Sequence, residues 1–388
     1  MIKKALIFIS FFLILIGITH PSEEKSYLVL SGQEGDGLLV DPMQISEGPD
    51  GNIYVYDRSD AFIKVYSPEG KYLRRIGGKG QGPGEIQRAD GARFRFTHDG
   101  KLYFTESFGG HRWITLMKLT GEYHNVIHIR INEVFGVAGS APLEDGGFLI
   151  ELWFSFKPEM RKDYFLYRYP QALLRINAAG EIVSEIVRTD YFKTISSKGD
   201  GADQWLPFFP SFAWTPFKNE SLIFADGLSR NLKVYNYEGA LIGEVKTTLP
   251  KPEKVKNRDL NEWRKLRKEA VRDQTWFNRF GRVIEKYKKS IYDKKPILSS
   301  ISFTPDQNLL VSSPWSEERG TDYWLLDDKG RTLTQINLES GWLNISKHFV
   351  SLTAEDELGN VRVICIRRGG SESDDLQRVE DLGRAREP

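Results

Sequence analysis

A turn-and-strand phrase recurs along this chain. Asp50-Gly51-Asn52-Ile53-Tyr54-Val55 is followed by Pro68-Glu69-Gly70-Lys71-Tyr72-Leu73, and the pair returns as His98-Asp99-Gly100-Lys101-Leu102-Tyr103-Phe104 and Thr120-Gly121-Glu122-Tyr123. The first turn recurs at Asp145-Gly146-Gly147, Asn219-Glu220-Ser221, Asp306-Gln307-Asn308 and Leu358-Gly359-Asn360. The second recurs at Ala179-Gly180-Glu181, Glu238-Gly239-Ala240 and Lys329-Gly330-Arg331. Gly, Asn and Asp tolerate positive φ at such turns. The flanking runs, such as Ile63-Lys64-Val65-Tyr66 and Leu232-Lys233-Val234-Tyr235, are β-branched or aromatic, as strands require. A unit of roughly 40–50 residues with paired turns is the signature of a β-propeller blade.

Six first turns meet five second turns. The sixth unit runs out after Ile366, one strand short, while a spare strand stands at Tyr27-Leu28-Val29-Leu30. That strand is expected to pair beside Val361–Ile366 and close the ring, since closure removes exposed sheet edges. The fold class expected is all-β, a six-bladed β-propeller with a helical insertion between blades four and five.

Pro42-Met43-Gln44-Ile45, Asp50 to Asp57, Ile63-Lys64-Val65-Tyr66 and Gly70-Lys71-Tyr72-Leu73 together resemble an NHL repeat. Gly77 to Ile86 resembles the linker after such a repeat in bacterial six-bladed propellers, and Asp226 to Tyr235 repeats the middle of the motif. The pattern covers most of residues 38–368. The resemblance implies the fold and leaves function open, because such propellers include binding scaffolds, lyases and lactonase-like relatives. The lyase relatives bind zinc through clustered histidines, and no such cluster can be assembled from the six histidines of this chain. His124 and His128 share a strand, where four residues span roughly 13 Å, too far for one ion.

The N-terminus reads as an address. Lys3-Lys4 precede an apolar run from Ala5 to Ile18, in the order of a secretory signal, and the run is short for a membrane span. Residues 1–25 are expected to be a signal peptide or an uncleaved membrane anchor, which puts the propeller of residues 26–370 in the periplasm or outside the cell. Residues 371–388 are polar and charged and are expected to be a disordered tail. The single cysteine, Cys365, lies in an apolar strand and reads as a small buried hydrophobe. A net charge of +1 gives no global bias toward nucleic acid.

Residues 250–296 break the rhythm. Leu260, Trp263, Leu266, Ala270, Phe277, Phe280, Ile284, Tyr287 and Ile291 recur at helical spacings. Lys251 to Lys295 carries sixteen Lys and Arg against seven Asp and Glu, a net +9 that leaves −8 on the rest of the chain. Such a segment suits a solvated helix face, an acidic partner, a contact with an anionic membrane surface or an anionic ligand. A second insertion, Ser155 to Tyr169, lies inside the third unit.

The tight turns must share one face of the ring. The second-to-third-strand loops and the links between blades share the other, and function gathers on irregular loops held by a rigid scaffold. Arg58, His111, Arg112, Arg230 and Trp315 fall on that face and are the expected binding residues, since Arg and Trp anchor interfaces. Asp57 and Asp226 occupy equivalent places and read as turn caps. Phe208, Phe209, Phe212, Trp214 and Phe217 read as core on an inner strand. The function expected is a binding scaffold for a protein or peptide, with acidic character in the partner. The alternatives are a lyase or hydrolase acting in the central channel and a carbohydrate-binding module. No catalytic residue is assigned, an enzyme is the less favoured reading, and no cofactor is expected, with a divalent ion in the channel left open. A monomer is expected.

Overall fold

A computed structural model describes residues 27–30, 35–106, 112–132, 134–155, 157–160, 164–197, 204–206, 208–270, 292–314, 316, 320–339, 343–355 and 361–384. The signal or anchor expected at residues 1–25 lies outside the described residues. No described helix is long and apolar enough to cross a membrane.

The described strands form six antiparallel sheets. After β1 (Tyr27–Val29), blade one holds β2 (Pro42–Glu47), β3 (Ile53–Asp57), β4 (Phe62–Tyr66) and β5 (Tyr72–Gly77). Blade two holds β6 (Ala92–Phe96), β7 (Leu102–Glu106), β8 (Trp113–Met117) and β9 (Tyr123–His128). Blade three is enlarged: β10 (Val134–Pro142), β11 (Phe148–Phe154), β12 (Lys157–Met160), β13 (Tyr164–Ile176), β14 (Ile182–Ser197) and β15 (Gln204–Trp205). The described parts of its 155–169 insertion form a sheet extension, in which β12 pairs with β13 and β13 with a long β14. Blade four holds β16 (Ala213–Phe217), β17 (Ser221–Ala225), β18 (Asn231–Asn236) and β19 (Leu241–Lys246); blade five holds β20 (Ser300–Phe303), β21 (Leu309–Ser312), β22 (Thr321–Leu326) and β23 (Thr332–Leu338). Blade six is β24 (Leu343–Ile345), β25 (Phe349–Glu355) and β26 (Val361–Arg367), completed by β1 with Leu28 opposite Cys365. The closing strand thus pairs where the sequence placed it. A helix, α1 (Asn257–Ala270), follows β19, and α2 (Glu372–Arg384) follows β26.

Burial explains why the inner strands read as nearly unbroken apolar runs. Successive side chains on a strand point to opposite faces, and here each face meets a neighbouring blade. Leu149 joins the cluster between blades three and four, while Ile150 joins the one between blades two and three. Leu309 and Leu310 divide in the same way between the clusters of blades four–five and five–six. The remaining clusters join blades one–two and six–one, so apolar contact runs around the whole ring. Cys365 lies fully buried in the six–one cluster, where burial pushes its thiol up to about 12.

The repeated second-turn glycines have a further role. Each has positive φ, and each faces the outer strand of the preceding blade. A Cβ on Gly180 would lie 1.9 Å from the carbonyl oxygen of His128, on Gly239 2.5 Å from that of Glu185, and on Gly330 2.5 Å from that of Lys246. The backbones also bond: Arg130 N donates to Gly180 O (3.0 Å) and Thr248 N to Gly330 O (3.0 Å). The first-turn Gly51 has no atom within 4 Å of a built Cβ.

The expectation of a disordered tail at 371–388 is corrected by α2 as far as Arg384; residues 385–388 lie outside the described residues. Ser371 Oγ accepts the Asp374 amide (3.2 Å) while Asp374 accepts the Ser371 amide (3.2 Å), a reciprocal N-terminal cap. Leu376 and Val379 are fully buried in the cluster between blades five and six. Polar groups fix the rest. Glu372 accepts from Thr304 Oγ1 (2.7 Å) and Asn308 Nδ2 (2.9 Å) in the blade-five turn. Arg368 reaches Asp306 (2.6 Å), Glu372 (3.4 Å) and Asp375 (3.4 Å). A segment poor in apolar residues is ordered because its few are placed on one helix face and its charges find partners.

Two stability outcomes follow. Gly180→Ala and Gly51→Ala both place Ala at positive φ, at about 1–2 kcal/mol, but only Gly180→Ala also drives a methyl into a neighbouring blade. Its melting temperature should fall clearly further than that of Gly51→Ala, and equal losses would show that the blades do not meet at this glycine. Truncation after Gly370 removes two fully buried apolar side chains, each a loss of about 2–5 kcal/mol. A truncated chain melting within a degree or two of the full one would show that α2 does not pack on the ring.

Candidate ligand-binding site

The loop-rich face carries a cavity of about 620 Å³ whose lining comes from blades three and five and from the links on either side of blade four. That volume lies in the range of small-ligand sites. The links beside it are fixed by backbone bonds. Gly227, in the β17–β18 loop, has φ +74°, and its carbonyl accepts Ile297 N (2.9 Å) from the link entering blade five. Ser211 N donates to Asp226 O (2.9 Å), and Ser211 Oγ bonds to Leu298 O. Asp226 caps its own loop by accepting Leu228 N (2.9 Å), as Asp57 accepts Ser59 N (3.0 Å) in blade one. Both aspartates are turn caps, as the repeat implied. Asp57 is also buried against Lys64 (2.9 Å) and accepts the Val40 amide (2.8 Å), which ties the link into blade one to its second strand.

Aromatic side chains form much of the wall: Trp153, Phe208, Phe209, Phe212, Trp263 and Trp324. The expectation that Phe208, Phe209 and Phe212 sit on an inner strand is corrected, because β16 begins only at Ala213. Phe208 has φ +61°. That conformation is a true outlier for a bulky side chain, and strain of this kind gathers at binding and catalytic sites. Sequence reading saw the aromatic run but not that the chain enters its strand five residues later than Phe208.

Glu151 was not anticipated. It is 8% exposed, on β11, and lines the cavity. Its Oε1 accepts Gln171 Nε2 (2.7 Å) and Trp153 Nε1 (3.3 Å), and its Oε2 accepts Trp214 Nε1 (2.9 Å). The signal was a lone acid inside an apolar strand, Phe148-Leu149-Ile150-Glu151-Leu152. A buried charge of this kind needs donors.

Helix α1 enters the wall through Trp263. The segment leaving blade four and the one returning to blade five run together: Val255 N donates to Asp293 O (2.8 Å) and Lys295 N to Glu253 O (2.8 Å). Lys295 Nζ bridges Glu253 (3.1 Å) and Asp259 (3.2 Å), and Lys256 N donates to Asp259 (2.7 Å) at the start of α1. Burial pushes the Asp259 carboxyl up, but the Lys256 amide and Lys295 outweigh it and hold it below the ordinary range.

The expected binding residues are dispersed. Arg58 pairs with Asp41 (2.6 Å), and Arg112 Nη1 donates to Ile131 O (2.8 Å); both brace loops of blades one and two. Arg230 is exposed beside β18 and lines a second, smaller cavity with Lys251, which lines the large one as well. His111 and Trp315 lie outside the described residues, though Pro314 and Ser316, the sequence neighbours of Trp315, line the large cavity. In blade two, Glu106 at the end of β7 is 3% exposed; burial raises its carboxyl, and it accepts Arg88 N (2.6 Å). Among the described residues, no group of three or more His, Cys, Asp or Glu side chains could hold a metal ion.

Fold and cavity define a six-bladed propeller with a ligand-sized site on its loop face. Residues 25–90 match the DUF5128 family profile, described as a 6-bladed beta-propeller. Among solved structures, the chain is similar to a Bacteroides fragilis protein described as exported, at 12% identity over 91% of this chain and 98% of that one, with a TM-score of 0.49. It is also similar to virginiamycin B lyase from Staphylococcus aureus (12% identity, 87% of this chain, 86% of that one, TM-score 0.39). A third is a DUF4221-family protein from Bacteroides vulgatus (10% identity, 88% and 98%, TM-score 0.42). No curated protein matches the chain.

Glu151→Gln tests the donor set. A glutamine keeps one acceptor oxygen and turns an NH₂ toward at least one N–H donor, a loss of about 1–3 kcal/mol. Urea unfolding should show the midpoint falling with an unchanged slope; an unchanged midpoint would mean that the three donors do not depend on the carboxylate.

Proposed function

We propose that this chain is an exported, NHL-like six-bladed propeller that binds a protein or peptide on its loop-rich face, with the aromatic cavity as its pocket. The observation that carries the reading is that cavity, walled by six aromatic side chains, one of them held at positive φ. Aromatic walls with a few fixed polar groups suit recognition of apolar side chains. Residues 250–296 act as an insertion between blades four and five, of which α1 is the described helix and Trp263 the contact with the pocket. Arg230 and Trp315 contribute at the rim, while Arg58, His111 and Arg112 extend the surface across blades one and two. The protein works outside the cytoplasm, as a monomer and without a cofactor.

The tryptophans Trp153, Trp263 and Trp324 also favour a sugar ligand, since flat indole faces stack on rings. One experiment separates the readings. Peptide and oligosaccharide panels are titrated against the wild type and against Pro250→Trp, a substitution that puts an indole at an exposed position of the lining. Peptide binding that weakens about tenfold or more, equivalent to about 1.4 kcal/mol, at an unchanged melting temperature is the expected result. Peptide binding indifferent to the substitution would remove the cavity as the site. Binding of oligosaccharides alone would replace the peptide reading with the carbohydrate one.

A further inference from the structure

The large cavity is not itself basic. Its lining carries Glu151, Glu253 and Asp322 against Lys251 and Lys295, and Lys295 is already bridged to Glu253 and Asp259. The free positive charge stands next door. A second cavity of about 490 Å³ is lined by Leu228, Ser229, Arg230, Asn231, Lys246, Thr247, Lys251 and Pro252. Three of these are cations and none is an acid. Arg230, Lys246 and Lys251 are exposed, and among the described residues none of their side chains makes a hydrogen bond or an ion pair.

The setting is ordered. Thr247 Oγ1 bonds to Arg230 O (2.5 Å), which joins the start of β18 to the end of β19. Ser229 Oγ accepts Asn231 N (3.1 Å), and its own proton is unspent among the described residues. Asn231 Nδ2 donates to Glu244 (3.3 Å) at the edge of the same wall. Lys251 belongs to both linings, so the two cavities adjoin.

We propose that the Arg230–Lys246–Lys251 cavity is an oxyanion subsite, taking the carboxylate or phosphate of a ligand whose apolar body fills the adjoining aromatic cavity. This rests on the binding reading above and specifies the ligand class: an amphiphile with one anionic group next to an aromatic or aliphatic body. Three like charges with no acid among the residues lining the cavity repel one another, and an anion relieves that repulsion while accepting hydrogen bonds from the guanidinium, two ammonium groups and the Ser229 hydroxyl.

Two dyes separate this subsite from the cavity. The aromatic sulfonate 8-anilinonaphthalene-1-sulfonate carries both features, and Nile red is apolar and uncharged. Both are titrated by fluorescence into the folded full chain. Pro250→Trp should weaken both. Arg230→Glu/Lys246→Glu should weaken the sulfonate about tenfold, as lost charge-assisted bonds would, and leave Nile red within twofold. Sulfonate binding should also fall as sodium chloride rises from 0.05 to 0.5 M, while Lys71→Glu on the tight-turn face changes neither dye. Inorganic phosphate and acetate then serve as competitors of the sulfonate: competition by phosphate alone assigns the anion to a phosphate, and by acetate alone to a carboxylate. Sulfonate affinity unchanged by the charge reversals and by salt overturns the subsite, while a Nile red signal lost in Pro250→Trp would leave the cavity reading standing. Absence of binding by either dye overturns both.

Discussion

Blade-on-blade apposition is the constraint from which the other features follow. Each inner strand is buried on both sides, so its apolar residues must serve two interfaces in alternation, and no single blade can satisfy its own surface. Blade one illustrates this: all five residues of β3 are buried, with Val55 turned to blade six and Tyr54 and Tyr56 to blade two. The second-turn glycines set how closely the blades approach, because their backbone stands where a side chain would collide with the neighbour. A rigid ring of this kind leaves only the loops and links free to vary, and the large cavity is made from them.

The propeller also separates structural from binding arginines. Arg58 and Arg112 lie on the loop face, yet their guanidinium groups are engaged by Asp41 and by the Ile131 carbonyl. Arg230 occupies the same kind of loop and has no such partner among the described residues. The difference lies in which neighbouring link comes close enough to answer the charge. The link into blade five follows the same logic: Gly227 accepts a backbone bond where a larger residue would strike the Leu298 carbonyl.

Much of the architecture was legible because turns and pleats have local causes. Glycine at positive φ marks the corners, and β-branched runs between them mark the strands, so the unpaired strand at each end of the chain could be matched. What was not legible depends on tertiary partners. The α2 segment has few apolar residues, and only the Ser371–Asp374 cap and the three-residue spacing of Leu376, Val379 and Leu382 hinted at a helix. Its order comes from Arg368 and from the blade-five turn, which no local pattern reveals. Phe208 and Phe209 differ from Trp214 only in which residue begins β16, and strand boundaries are set by the link's hydrogen bonds to neighbouring blades. Glu151 could be seen as an oddity in an apolar strand, but its donors come from three different strands, β11, β13 and β16.

The pairing of β1 with β26 has a consequence for how the molecule is made. Leu28 and Cys365 sit opposite one another although nearly the whole chain separates them. In a chain that emerges N-terminus first, blades one to five can stack as they appear, but β1 has no partner until β26 is complete. Until then the assembly is an open arc, with the blade-one surface of Ile45, Ile53 and Val55 uncovered at one end. Contacts of such long sequence separation are slow to form, and exposed apolar surface and strand edges invite association with other chains meanwhile. The last stretch of the chain therefore decides the lifetime of the vulnerable species: β26 supplies the edge that captures β1, and α2 follows to clasp blade six to blade five.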